Sequence, residues 1–213
     1  MIDSTMSSNG VMNAPLLTGV PRDGHAQGVE DAVRHVLVEM GEDPTREGLR
    51  DTPRRVRAML EEITSGIGRD PADALSVEFH ENYQGIVLVR DIQFYSLCEH
   101  HLLPFFGVAH VVYQPADGVL TGLSKLARVV AIASHRPQVQ ERITQEVADA
   151  LERRLHPQGV FVSIAAEHLC MAMRGVGKAA ARTITVVATG TLAAGTPQHQ
   201  ALLTQLQGGG GVR

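Results

Sequence analysis

Cysteine is scarce here: two occur among 213 residues, too few for a disulfide framework. No apolar run is long enough to span a bilayer, which excludes a membrane-spanning helix. The first residues lack a basic segment followed by an apolar core, so no secretory signal is expected and cytoplasm is the expected location. A structural disulfide is therefore a poor use for the two thiols. No long basic block occurs either, and the net charge is −4. A broad nucleic-acid binder needs a basic stripe, so that class is excluded. An anionic small substrate remains open, provided a few Arg and Lys converge on it.

What is present fits a globular enzyme. Hydrophobic residues make up 44% of the chain and charged residues 20%, enough for one core plus a helical extension. Residues 1–27 are rich in Ser, Asn, Gly and Pro without a steady period and read as a mobile tail. Residues 28–68 read as a helical pair. Val29, Val33, Val36, Leu37 and Met40 have helical spacing, and Gly41 ends that helix. Thr52-Pro53 opens the second helix, with Thr52 as cap and Pro53 as first helical residue. Residues 69–207 form the main domain, and 208–213 a flexible end.

Within the main domain, strands are expected over 85–95 and 105–113, with a turn at Asp117-Gly118. A helix opening at Ser124 breaks at His135-Arg136-Pro137, and a longer helix runs to Leu155. Strands over 159–166 and 183–189 and a short final helix near Leu202 complete the order. Blocks of strand pairs and helix pairs favour an α+β fold with antiparallel pairing.

Each cysteine has a histidine beside it. Cys98-Glu99-His100-His101 is one cluster and His168-Leu169-Cys170 the other. His168 and Cys170 are two apart at the end of a strand, a spacing that places both on one face. Cys98 and His101 are three apart, so sharing an ion requires a turn or one helical turn between them. Soft thiolates with imidazole suit zinc. Four bound groups would make a closed structural site, whereas three leave a position for water. Adjacent His100 and His101 do not readily hold one ion together, which favours Cys98, His101 and Cys170 as ligands. His100 and His168 are then free for proton transfer. Glu99 reads as a solvated neighbour or as a group orienting an imidazole.

Anion-binding groups flank these clusters. Lys125 and Arg128 share a helix face, and Thr121-Gly122-Leu123-Ser124 precedes them at a helix N-terminus suited to phosphate. Arg174 follows the second cluster, and Arg55 sits on the second helix. One by one these are ordinary surface cations; together they could hold a triphosphate. Gln140-Glu141 opens the long helix. A carboxylate accepts both donors on guanine's Watson–Crick edge, although alone Glu141 reads as an exposed helix residue.

The motifs Cys98–His101, Gly122–Arg128, Gln138–Arg142, His168–Gly175 and Asp51–Val56 together resemble the GTP cyclohydrolase I family. The resemblance runs from about residue 29 to about 192. It implies the tunnelling fold, an antiparallel sheet with paired helices, here preceded by an N-terminal helical hairpin. It implies a homo-oligomer, a decamer of two pentamers. It assigns zinc, with iron as the alternative, to Cys98, His101 and Cys170, and proton transfer to His100 and His168. Guanine goes to Glu141 with Gln140 nearby. The triphosphate goes to Arg55, Lys125, Arg128 and Arg174, with Ser124 at the ribose and phosphate end. The implied reaction is attack of zinc-bound hydroxide on C8 of GTP, release of formate, and ribose rearrangement to 7,8-dihydroneopterin triphosphate, the first step of tetrahydrofolate and pterin biosynthesis. Two other readings stay open: another pterin or deazapurine enzyme of the same fold, and a non-catalytic zinc-stabilised oligomeric module.

Overall fold

A computed structural model describes residues 25–76 and 78–207. The flexible end expected over 208–213 lies outside those residues, as does the expected tail up to position 24. The remaining three tail residues belong to the first helix, α1 (His25–Glu39), because nothing between His25 and Val29 forbids helix and Gly28 is only mildly unfavourable inside one. The described residues fall into two compact units, divided between Arg69 and Asp70.

The first unit pairs α1 with α2 (Thr52–Ile63). Arg57 Nε lies 3.1 Å from Glu30 Oε1 and joins the two helices. The capping expectation shifts by one residue. Asp51 occupies the cap position without a side-chain hydrogen bond, Thr52 is the first helical residue, and Pro53 follows it.

The second unit begins with a one-turn 3₁₀ helix at Pro71–Ala74. A small antiparallel ribbon, not anticipated from the sequence, pairs β1 (Glu78–His80) with β4 (Val119–Thr121). Between β4 and the main sheet the chain turns at Asp117-Gly118, where both residues have positive φ (52° and 72°). That pair of values suits a tight reversal and matches the turn expected there.

The main sheet contains β2 (Val87–Cys98), β3 (Pro104–Gln114), β5 (Pro137–Gln138), β6 (Gly159–His168) and β7 (Arg182–Ala188). Its strand order is β5-β2-β3-β6-β7. Every long pairing is antiparallel, and only the two-residue β5 runs parallel to the end of β2. Helices α3 (Leu123–Ser134) and α4 (Gln140–Leu155) supply the core layer. Their inward stripe of Leu126, Val129, Val130, Ile143, Val147 and Leu151 is buried against Val111, Tyr113 and Val162 of the sheet. At one end the opposite face is also covered. There Val112 and Phe161 meet Leu192 and Leu202, the latter on the C-terminal helix α6 (Pro197–Gln207). A four-residue helix, α5 (Leu169–Ala172), follows β6 directly.

Two places in this sheet are sensitive. Gly107 on β3 faces Ala166 on β6, and a Cβ there would fall 2.0 Å from the Ala165 carbonyl oxygen. Because the obstacle is backbone, it cannot rotate aside. Gly107→Ala should therefore lower unfolding stability by about 3 kcal/mol, read from urea titration.

The second is a bulge in β2 between Val89 and Ile92, where Asp91 has φ +60°. Its backbone N–H donates to Nδ1 of buried His110 on β3, at 3.1 Å. Burial holds His110 below the ordinary histidine range, with Asp91 pulling it back up and Arg90 pushing it further down. A histidine with a depressed folded pKa binds fewer protons folded than unfolded, so its contribution is intact above about pH 6.5 and fades as pH falls. The urea midpoint should drop between pH 7.5 and 5.5, and His110→Gln should flatten that dependence.

Candidate metal and proton-transfer site

The site grows from the end of β2. Cys98 is the last strand residue and is 5% exposed. Its N–H donates to Leu103 O at 2.9 Å, and its carbonyl accepts from the N–H groups of His101 (3.3 Å) and Leu102 (2.8 Å). Leu102 takes a left-handed conformation, φ +54°, to close the reversal into β3. This tight turn is the device the three-residue spacing demanded, and it swings His101 back beside Cys98. Glu99 N–H donates to Gln138 O at 3.1 Å, so β5 pins the turn from the side.

The second cluster arrives through strand register. β3 and β6 pair with Phe105 opposite His168, so the end of β6 lies beside the start of β3. The spacing argument for His168 and Cys170 needs correction. The strand ends at His168, and Cys170 lies on the one-turn helix α5. Residues two apart on a helical turn diverge, and these two do. Cys170 joins the first cluster, while His168 turns elsewhere.

Ligand atoms of Cys98, His101 and Cys170 all lie within 4.8 Å of one another. They are the only such group of three or more among the described residues. Burial pushes the Cys170 thiol up, and the Cys98 thiol beside it pushes the same way. Two ionised sulfurs so close are mutually repelled, and a bound cation reverses that. Two thiols and one imidazole, gathered without a fourth donor among the described residues, form a set that could hold a metal ion.

The two spare histidines flank this set differently. His100 Nδ1 lies 3.6 Å from Cys98 Sγ. The His168 ring stacks on Phe105, with centroids 4.6 Å apart and planes 3° from parallel. Its Nε2 is 2.9 Å from Gln140 Oε1. Burial lowers the His168 pKa, partly offset by the Glu141 carboxylate. Gln140 is 1% exposed, and its amide nitrogen is engaged by Ile164 O, Thr183 O and Thr185 Oγ1.

Other expected site residues take these positions. Glu141 is exposed in the first turn of α4. Ser124 and Arg128 are exposed on α3, and Lys125 Nζ reaches Ser76 Oγ at 3.4 Å. Arg174 Nη1 lies 3.0 Å from His101 Nε2, which brings its guanidinium to the cluster. Arg55 lies in the first unit, 3.6 Å from Asp51. Glu99 hydrogen-bonds a guanidinium rather than an imidazole among the described residues. Its carboxylate is bound by Arg142 Nη1 at 2.7 Å, and that hydrogen bond holds it below the usual carboxylate range.

The family model described as GTP cyclohydrolase I matches residues 29–207. A protein of Streptococcus gordonii named GTP cyclohydrolase 1 is 52% identical over 178 residues, covering 84% of this chain and 95% of the relative. The chain belongs to the GTP cyclohydrolase I family. A Streptococcus thermophilus relative of the same name is 56% identical over 162 residues, 76% of this chain and 87% of its own. Among solved structures, an archaeosine synthase QueF-Like in the apo form covers 52% of this chain and 97% of its own, with TM-score 0.42 and 14% identity. Family membership and the antiparallel sheet backed by α3 and α4 agree with the α+β, tunnelling-fold architecture implied by the motifs.

Three residues that sequence reasoning left without a role support this candidate site. Phe105 provides the stacking surface for His168. Arg142 bridges Glu99 and Gln138 Oε1, the latter at 3.0 Å. Gln138 in turn donates to Ala133 O and Glu146, and Glu146 pairs with Arg136. Arg142 adjoins Glu141 in a quoted motif, but its partner Glu99 is 43 residues away, and no local pattern reports that pairing. The Glu99–Arg142 pair is exposed, so its loss should barely change stability. It holds the ligand turn, however, and Arg142→Ala should weaken metal affinity about tenfold in a chelator competition titration.

Proposed function

We propose that this chain is a GTP cyclohydrolase. It opens the imidazole ring of GTP hydrolytically, releases C8 as formate, and converts the remainder to 7,8-dihydroneopterin triphosphate. The observation that carries this reading is the division of labour at the site. Three donors converge at Cys98, His101 and Cys170, while two imidazoles beside them stay out of the donor set. A structural site has four donors and no use for spare imidazoles; a catalytic one has three and an open position.

Zinc suits two thiolates and an imidazole better than iron does, and bound there it supplies a water acidic enough to ionise near neutral pH. The chain's own groups do the rest. His168 and His100 exchange protons with the purine ring and the opening ribose. Glu141, exposed at the mouth of α4, accepts from the N1–H and N2–H of guanine. Ser124, Lys125 and Arg128 on α3, with Arg174 and Arg55, bind the ribose and triphosphate. Gln140, whose amide is occupied by protein groups, supports guanine binding only from behind Glu141.

The protein works as a homo-oligomer, a decamer of two pentamers. Among the described residues β7 is a sheet edge, and Ile184 on it is 68% exposed. Unpaired, apolar edge strands favour pairing with another copy. Cytoplasm is the proposed location; none of the described helices is long and apolar enough to cross a membrane.

The test is a GTP turnover assay on metal-loaded protein, reading formate and pterin fluorescence together. Formate should appear in equal amount to the pterin. Cys98→Ser and Cys170→Ser should lose both metal and activity. His100→Ala and His168→Ala should keep the metal while kcat falls by about 10²–10⁴. No formate from fully loaded protein would refute the assignment.

A further inference from the structure

The hydrogen bonds around Gln140 run in one direction only. Its amide nitrogen lies 3.0 Å from Ile164 O, 3.0 Å from Thr183 O and 3.1 Å from Thr185 Oγ1. The first two partners are backbone carbonyls, which can only accept. The NH₂ end of the amide must therefore face them, and the carbonyl end must face His168 at 2.9 Å. An amide oxygen also can only accept, so His168 Nε2 must carry a hydrogen.

The hydroxyls extend the same logic. The Thr144 hydroxyl gives its one hydrogen to the backbone carbonyl of Gln140 at 2.9 Å. The 2.6 Å contact between Thr144 Oγ1 and Thr185 Oγ1 is therefore donated by Thr185. Thr185 Oγ1 is left only to accept from the Gln140 amide, which shares its two hydrogens between it and the two carbonyls. The ring of bonds closes on the residue where it began. Reversing the amide would set NH₂ against His168 and leave the carbonyls of Ile164 and Thr183 facing an oxygen. In a buried setting, carbonyls left facing an oxygen are strongly disfavoured.

We infer that Thr144 and Thr185 are positioning residues that, together with the Ile164 and Thr183 carbonyls, act through Gln140 to hold the His168 ring as its Nε2–H form, leaving Nδ1 as the one ring atom that exchanges protons with substrate. The Phe105 face fixes the ring plane, and the amide fixes its rotation about that face. The exchange step rests on the cyclohydrolase reading above; the placement of the hydrogen does not.

The experiment uses metal-loaded protein labelled with ring-¹⁵N histidine, studied by magic-angle-spinning NMR, with His168→Asn identifying the signal. The unmodified protein should show the His168 hydrogen on Nε2. Thr185→Val and, independently, Thr144→Val should show a mixture of ring forms. In each, kcat for formate release should fall about tenfold while KM for GTP stays within about twofold. Thr185→Ser, which keeps the hydroxyl, should restore both readouts. A hydrogen on Nδ1 in the unmodified protein would overturn the inference, as would valine variants with unchanged ring form and kcat. An Nε2 hydrogen found in protein that releases no formate from GTP would support this inference and overturn the functional reading.

Discussion

The ten-residue antiparallel register between β3 and β6 is the constraint on which the site depends. It pairs Phe105 with His168 and so delivers the second cysteine–histidine cluster to the turn that carries the first. A slip of one residue would send every side chain of β6 to the other face. The hydrophobic alternation forbids that slip. Val160, Val162 and Ile164 would leave the layer beneath α3 and α4, and Phe161 would leave the cluster around Leu192. Burial on both faces therefore fixes the register, and the register fixes the chemistry at its end.

A second layer of order lies under the ligand turn. Arg142, Gln138, Glu146 and Arg136 form a string from Glu99 into the start of α4. None of these groups belongs to the donor set. Their role is geometric: Cys98 and His101 sit on a reversal that would be free to fray without a lateral anchor. On the other side the Gln140 ring performs the same service for His168. One short stretch, Gln138 to Arg142, thus braces both halves, because it crosses from a strand beside β2 into the first turn of a helix over β6 and β7.

Much of this was legible in the sequence, and what was not has physical causes. The pairing of each cysteine with a histidine uses residues within three positions, so local spacing was enough to see it. The need for a turn after Cys98 followed from an odd spacing, and the structure supplies that turn. The even spacing at His168 and Cys170 misled, because period-two reasoning assumes the strand continues, and here it ends at His168. The β1–β4 ribbon escaped notice since three-residue strands carry no periodic pattern. Glu99–Arg142 and Gln140–His168 join residues far apart in the chain, and no local pattern marks Gln140 as buried.

The separation of the donors also bears on how the protein is made. Cys98 and His101 leave the ribosome together, but Cys170 follows only after about 70 more residues, a wait of roughly 3–14 s at about 5–20 residues per second. During that interval the first thiol and imidazole have no third donor and no β6 against which to settle. An ion bound there would be held by two groups alone until β6 pairs with β3 and brings Cys170. A metal centre built from these three donors would therefore be completed late in synthesis.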